Sequence, residues 1–132
     1  MQNGPVLYIR YESADVDAMG RRVGIFGLAN VLARSGALNP EDWAWWRAGN
    51  DWYDAAYLNP ASIDPTIFNK EIYPHASCWF KESATHLLDR VPGYLALLDR
   101  YGVEWVLRQS LDPGKIIYED RDQVVVVPHD HD

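Results

Sequence analysis

Three charged residues lie where the sequence pattern leaves few neighbours to neutralise them, so they are the first candidates for chemistry. Arg10 falls inside the apolar segment from Val6 to Tyr11, and a charge there must be paired or must face a cavity. Lys81 follows a long proline-rich connection, where a loop-to-helix junction can present backbone amides to an anion. Glu119 lies beside a tight link between two strands and, with Asp120, is a potential partner for Arg10. The pattern therefore predicts either an anion- or nucleotide-binding arginine or a structural ion pair.

Two further patterns contain ligating or nucleophilic side chains. Cys78 follows His75 by three residues, and a nearby base or cation is what a thiolate nucleophile requires. A lone cysteine in an aromatic segment is more often a small buried hydrophobe, and we favour that interpretation. The last four residues, His129 to Asp132, have a metal-chelating spacing, but a chain end normally frays. We therefore expect no metal site and no cofactor.

Aromatic residues are unusually frequent, with six Trp and eight Tyr in 132 residues. Trp and Tyr combine a large apolar area with one polar group, which suits cores, interfaces and ligand cavities alike. Several of them fall on one predicted helix and one on the first strand. The candidate ligand- or partner-binding residues are Tyr11, Trp43, Trp46, Trp52 and Tyr57.

Composition limits the classes of protein to which the chain can belong. A length of 132 residues fits a single domain spanning residues 1–132, and 48% apolar residues supply a core. The net charge of −7 argues against general nucleic-acid binding and suits either solubility or a basic protein partner. One cysteine, no signal-peptide pattern and no long apolar run together predict a cytoplasmic protein without membrane contact.

Hydrophobic periodicity predicts an α+β fold with a mostly antiparallel sheet of about four strands and about three helices. The predicted helices span residues 22–35, 40–57 and 79–101. Gly36 ends the first helix, Asn39 caps the second, and Pro92 interrupts the third. The predicted strands span 6–11, 103–108, 115–118 and 123–127. The last three form a meander, and the valine strand at 123–127 is central and is expected to pair with the N-terminal strand. The connection 58–75 is expected to be an ordered loop, and no internal repeat is evident.

From about Trp52 onward the chain resembles small bacterial and phage proteins for which we know of no assigned activity. The resembling segments are WYDAAYLNP, SCWFKESATHLLDRVPGYLALLDRYGV and DPGKIIYEDRDQVVVVP. They cover well over half of the chain. The resemblance implies one intact domain and implies no mechanism.

A second resemblance is to compact ADP-ribosyltransferase folds. It rests on a strand carrying Arg10, a helix ending in VLARSGAL and a terminal strand ending in Val-Pro. In those families an early-strand Arg or His helps to hold NAD, and a Glu near the last strand orients the ribose. The matching late position is Gln123 rather than Glu, and Glu119 lies before the turn. The resemblance thus implies an NAD-holding role for Arg10 and leaves the transfer chemistry without its usual carboxylate.

Two functions remain as hypotheses. The first is an acidic partner-binding accessory protein of the immunity or antitoxin type, for which an exposed aromatic cluster on the second helix would be the docking surface. The alternative is a small nucleotide-binding or ADP-ribosyltransferase-like enzyme with a cleft between the aromatic helix and the sheet. Arg10, Lys81, Glu119 and Gln123 are its candidate catalytic residues.

Overall fold

A computed structural model describes residues 5–18 and 20–129 of the chain. The fold is α+β, as the periodicity predicts. Its elements in chain order are β1 (Tyr8–Ser13), α1 (Ile25–Arg34), α2 (Pro40–Ala56), a 3₁₀ turn (Pro60–Ser62), β2 (Ser77–Lys81), α3 (Thr85–Leu88), α4 (Val91–Arg100), β3 (Trp105–Ser110), β4 (Lys115–Glu119) and β5 (Gln123–Val127).

The strands form one antiparallel sheet in the order β3-β1-β2-β5-β4. The prediction that the valine strand is central is confirmed, since β5 pairs with β2 on one side and with β4 on the other. Val124, Val125 and Val126 are all fully buried. Successive side chains point to opposite faces of a sheet, so β5 is covered on both faces.

The sheet has five strands rather than four because residues 77–81 form β2 instead of the start of a helix. In β2, Trp79 lies opposite Val124 and Ser77 lies opposite Val126. Trp79, Val124, Val126 and Tyr8 belong to one buried apolar cluster. Aromatic residues next to a valine strand gain more from cross-strand packing than from one further helical turn. The predicted helix over 79–101 is therefore wrong at its beginning, and the helical residues divide into α3 and α4.

The predicted meander and the predicted partner of the N-terminal strand are both wrong for the same reason. The edge of β5 that β1 was expected to occupy is taken by β2, and β1 pairs with the other edge of β2. The strand β3 lies beyond β1, at the edge of the sheet opposite to β4. Since the predicted helix concealed β2, the sequence pattern offered β1 no partner except the valine strand.

Local signals correctly predicted where the first two helices begin or end. The Asn39 side chain accepts a hydrogen bond of 2.8 Å from the Asp42 amide and so caps α2. Gly36 has a φ of 81°, the left-handed conformation that terminates α1 at low steric cost. The helix α1 buries Ile25 and Ala29, whereas Val31 is exposed.

The connection between α2 and β2 is ordered by a five-residue structural repeat that the sequence analysis missed. In each unit an Asn or Asp oxygen accepts a hydrogen bond from the amide two residues later, at 2.9–3.0 Å. The main-chain carbonyl of the same residue accepts from the amide three residues later. These turns begin at Asn59, Asp64 and Asn69, and local side-chain acceptors of this kind replace long-range pairing as the source of order.

The chain divides into two compact units. The first lies within residues 1–10, 58–88 and 108–132, and the second comprises 11–57 and 89–107. The first unit contains β2, β4 and β5, and the second contains α1, α2 and α4.

Candidate functional site

Lys81 and Glu119 are brought together by the sheet of the first unit. The Lys81 ammonium lies 2.6 Å from a Glu119 carboxylate oxygen. Lys81 extends from the end of β2, where its amide also donates to the carbonyl of Asp122, and Glu119 ends β4. The two candidate residues thus neutralise each other across the end of β5. The expectation that Lys81 lies at a loop-to-helix junction is wrong, because Lys81 ends strand β2.

Arg10 is half-buried on β1, and its guanidinium donates a 2.9 Å hydrogen bond to the main-chain carbonyl of Cys78. In the register of β1 and β2, Ile9 lies opposite Phe80, one residue before Arg10. The Arg10 side chain supplies an additional donor to β2. This contact indicates a structural role in the sheet.

Gln123 is almost completely buried, and its amide nitrogen donates to the Leu58 carbonyl at 2.8 Å and to Asp120 at 3.2 Å. Asp120 also accepts from the Tyr118 hydroxyl and from the amides of Asp122 and Gln123. Burial alone would raise the pKa of Asp120, but these hydrogen bonds outweigh burial and lower it. Gln123 and Asp120 fasten the β4–β5 turn and the start of the long connection.

Cys78 lies on β2, where burial raises the pKa of its thiol to about 11 despite the opposing field of Arg10. A thiol with such a pKa is protonated near neutral pH and is a poor nucleophile, which favours a packing role for the half-buried Cys78 over a nucleophilic one. His129 contacts an Asp112 carboxylate at 2.6 Å. The rest of the His129–Asp132 pattern lies outside the described residues.

The predicted aromatic residues separate into supporting and exposed groups. Trp46 is buried and donates to the Asn30 side chain at 3.0 Å, while Tyr57 lies in an edge contact with Tyr53 at 6.1 Å. Trp52 is half-buried with the Arg90 guanidinium stacked 4.0 Å from its ring centre. Tyr11 pairs with Trp105 at 6.0 Å. Of the five predicted binding residues, only Trp43 is largely exposed.

The exposed side of α2 forms the most unusual surface of the second unit. Trp43 is 46% exposed and Trp45 is 39% exposed. Between them, at helical spacing, runs a row of exposed residues, namely Glu41, Ala44, Ala48, Asp51 and Ala55. We call this row with its two tryptophans the α2 face. At 100° per residue, Trp43 and Trp45 lie on opposite borders of the row.

Both exposed tryptophan rings are fixed by neighbours. The Trp45 ring meets Tyr94 edge-on with 5.0 Å between ring centres. It also lies so close to Gly93 that a Cβ there would come within 2.4 Å of the ring. Trp43 lies against Trp46, with ring centres 5.8 Å apart. Because these contacts already restrict both rings, each ring loses less side-chain conformational entropy when a partner binds.

The N-terminal end of α2 is fastened by a buried carboxylate. Asp42 accepts hydrogen bonds from Arg100 at 2.7 Å and from the Tyr101 hydroxyl at 2.8 Å. The hydrogen bond from Tyr101, followed by the bond and charge of Arg100, lowers the pKa of Asp42. Further along the helix, Asn50 accepts from the Tyr94 hydroxyl at 2.6 Å. The α2 face is therefore presented on a helix held at its N-terminal end and again at Asn50.

One open depression of about 360 Å³ in the first unit is lined by Ser83, His86, Arg121 and Asp122. The Arg121 guanidinium and the His86 ring both approach Asp122, at 3.3 Å and 3.7 Å. The donors in this depression thus surround one carboxylate. Among the described residues, no group of three or more His, Cys, Asp or Glu side chains is arranged to hold a metal ion.

Sequence reasoning missed Trp45 and the three alanines as members of a surface. Trp45 lies on the predicted helix 40–57, but no sequence pattern indicates which tryptophan of that helix is buried. The regular spacing of Ala44, Ala48 and Ala55 was the available signal, because small residues on a helix otherwise rich in aromatic residues mark a separate face.

No protein-family model matches the chain, and comparison with curated proteins and with solved structures gives no significant match. Across the described residues, no helix is both long enough and apolar enough to span a membrane.

Proposed function

We propose that this chain is an acidic partner-binding accessory protein, of the immunity or antitoxin type, and that it binds its partner through the α2 face. The observation that carries the proposal is the exposure of Trp43 and Trp45 on the two borders of a row of exposed residues on α2. Tryptophan is strongly enriched among the residues that dominate binding energy at protein interfaces. A large apolar ring held in water by its neighbours is explained by a partner that covers it.

The distribution of charge adds support for a protein partner. The chain has a net charge of −7, which speeds association with a basic partner and disfavours phosphate backbones. The alternative of a nucleotide-binding or ADP-ribosyltransferase-like enzyme draws less support. Lys81 and Glu119 neutralise each other, and Arg10 bonds a main-chain carbonyl.

The test is a tagged pull-down from native lysate in which the proteins and small molecules that co-elute are both identified by mass spectrometry. Three forms of the chain are compared, namely the unchanged protein, Ala48→Arg on the α2 face and Ala96→Arg on α4. Ala48 and Ala96 are both exposed helix residues, so the two variants carry the same change in charge and volume at matched positions.

We expect a stoichiometric protein partner with the unchanged chain and with Ala96→Arg, and its loss with Ala48→Arg. Retention of the partner by Ala48→Arg would contradict the α2 face as the binding surface. A co-purified nucleotide without any protein would contradict the proposed function. It would also make Arg10, Lys81 and Glu119 the first residues to substitute.

A further inference from the structure

We infer that the partner segment bound by the α2 face is an amphipathic α-helix with basic residues flanking its apolar stripe; this inference rests on the proposed function. The main-chain groups of α2 support a helical partner. The main-chain N–H and C=O groups in the interior of an α-helix bond one another. Beyond its first turn, the α2 face therefore offers no free main-chain donors or acceptors. An extended segment lying there would leave its own main chain without partners, whereas a helix bonds its main chain internally.

The shape of the α2 face also fits a helix. The centre of the row is formed by Ala44 and Ala48, whose methyl groups project little, and the borders carry the larger rings of Trp43 and Trp45. The result is a strip of small exposed side chains that follows the axis of α2. Two helices pack closely, about 8 Å between axes, where the residues at their contact are small.

The length of the row sets the length of the partner helix. The row extends from Glu41 to Ala55 within the 17 residues of α2. At a rise of about 1.5 Å per residue, the row is about 21 Å long, which corresponds to about four helical turns. A helix of this length presents an apolar residue at each turn and can follow the row from end to end.

The charges of α2 favour a basic partner. Glu41, Asp51 and Asp54 are exposed carboxylates, and the sole basic residue of the helix, Arg47, is paired with Asp51 at 2.9 Å. Glu41 and Asp54 remain without this compensation, so the exposed side of α2 carries an excess of negative charge. Lysines or arginines flanking the apolar stripe of a partner helix would complement these carboxylates, whereas acidic residues would be repelled.

The test uses two synthetic helical peptides that match the 17-residue length of α2. Both have the same leucine stripe, and they differ only in carrying either lysine or glutamate beside it. Binding is measured by fluorescence anisotropy of labelled peptide against the unchanged protein, Ala48→Arg and Ala96→Arg. Circular dichroism with thermal unfolding verifies that both variants fold.

We expect the lysine peptide to bind at least about tenfold more tightly than the glutamate peptide. Ala48→Arg should weaken the binding of the lysine peptide by about tenfold or more, and Ala96→Arg by much less. Because both variants add the same positive charge, this difference separates docking on the α2 face from general attraction to an acidic protein. Equal binding of the two peptides, or equal effects of the two variants, would overturn the inference.

The proposed function and the inference can fail separately. If a protein partner from lysate is lost with Ala48→Arg but the lysine peptide does not bind, the α2 face is a binding surface and its occupant is not a basic helix. If the pull-down identifies no partner that depends on Ala48, the proposed function itself fails.

Discussion

Replacing Gly93 by alanine should change the free energy of unfolding by a different amount depending on whether residue 45 is a tryptophan. In an ordinary helix this substitution stabilises by about 0.5–1 kcal/mol, because glycine loses more backbone entropy on folding. Gly93 lies in the first turn of α4, and a Cβ at this position would come within 2.4 Å of the Trp45 ring. The ring is partly exposed, so it would be displaced outward rather than compressed.

The expected magnitude follows from what Trp45 loses when it moves. Its edge contact with Tyr94 at 5.0 Å is of the kind that contributes about 0.5–1.5 kcal/mol. Loss of this contact offsets the gain in helix propensity, so Gly93→Ala alone should change the free energy of unfolding by between about +0.5 and −1 kcal/mol. In a Trp45→Ala background the same change should stabilise by about 0.5–1 kcal/mol.

The assay is a double-mutant cycle by urea denaturation, monitored by far-ultraviolet circular dichroism. We expect a coupling free energy of about 0.5–1.5 kcal/mol between positions 45 and 93. Ala55→Gly, measured with and without Trp45, is the control, because Ala55 is exposed ten residues further along α2 and, at about 15 Å from position 45, should show no coupling. If Gly93→Ala stabilised equally in both backgrounds, the argument that Gly93 makes room for the Trp45 ring would be refuted.

The same variant connects stability with the proposed function. Gly93→Ala leaves every residue of the α2 face chemically unchanged and alters only the position of one ring. If a fixed ring matters for docking, the variant should weaken the lysine peptide by several-fold, since the displaced ring must be ordered again on binding. Unchanged affinity together with a clear coupling free energy would mean that Trp45 is packed but does not contact the partner.

Three further predictions concern the residues that hold the chain together. Gly36→Val should lower the free energy of unfolding by about 1–2 kcal/mol, because a φ of 81° is costly for a β-branched residue; an unchanged melting temperature would contradict this. The raised pKa of Cys78 means that the native state retains its thiol proton longer than the unfolded chain does. The free energy of unfolding should therefore fall by up to roughly 2–3 kcal/mol as pH rises from about 9 to about 11. Denaturation curves of Cys78→Ala should lack that part of the decline. The lowered pKa of Asp120 has the opposite sign, so its contribution should be present above about pH 4 and lost at lower pH. Asp120→Asn should be less stable than the unchanged chain at pH 7 and should lose less stability on acidification; an equal loss in both proteins would show that the Asp120 hydrogen bonds do not depend on its charge.

The features that the sequence determined by itself are those governed by neighbours a few residues away. The Asn39 cap depends on an amide three residues later, and the Gly36 terminus depends on the φ of one residue. The burial of the valines in β5 also followed from the sequence, since four consecutive apolar residues cannot all be placed in water at low cost. These features specify helix ends and one interior strand without any knowledge of the fold.

The identity of Ser77–Lys81 and the order of the strands required the tertiary structure. The segment from 79 onward has a helical apolar period, and only the free edge of β5 makes the extended form more favourable for its first residues. Once β2 occupies that edge, β1 must pair with β2, and this also moves β3 to the far side of the sheet. A single strand missed in the sequence thus changed the partners of all four others.

The candidate site divides in the same way. The sequence shows that α2 has more aromatic residues than one buried stripe needs, so it predicted Trp43, Trp46 and Trp52 as equivalent candidates. Only the tertiary structure decided that Trp46 is buried against Asn30, while Trp43 and Trp45 remain exposed. The physical reason is that the exposure of each tryptophan depends on residues distant in the chain. Asn30 of α1 supplies a polar partner for Trp46, and Gly93 of α4 leaves room for the Trp45 ring.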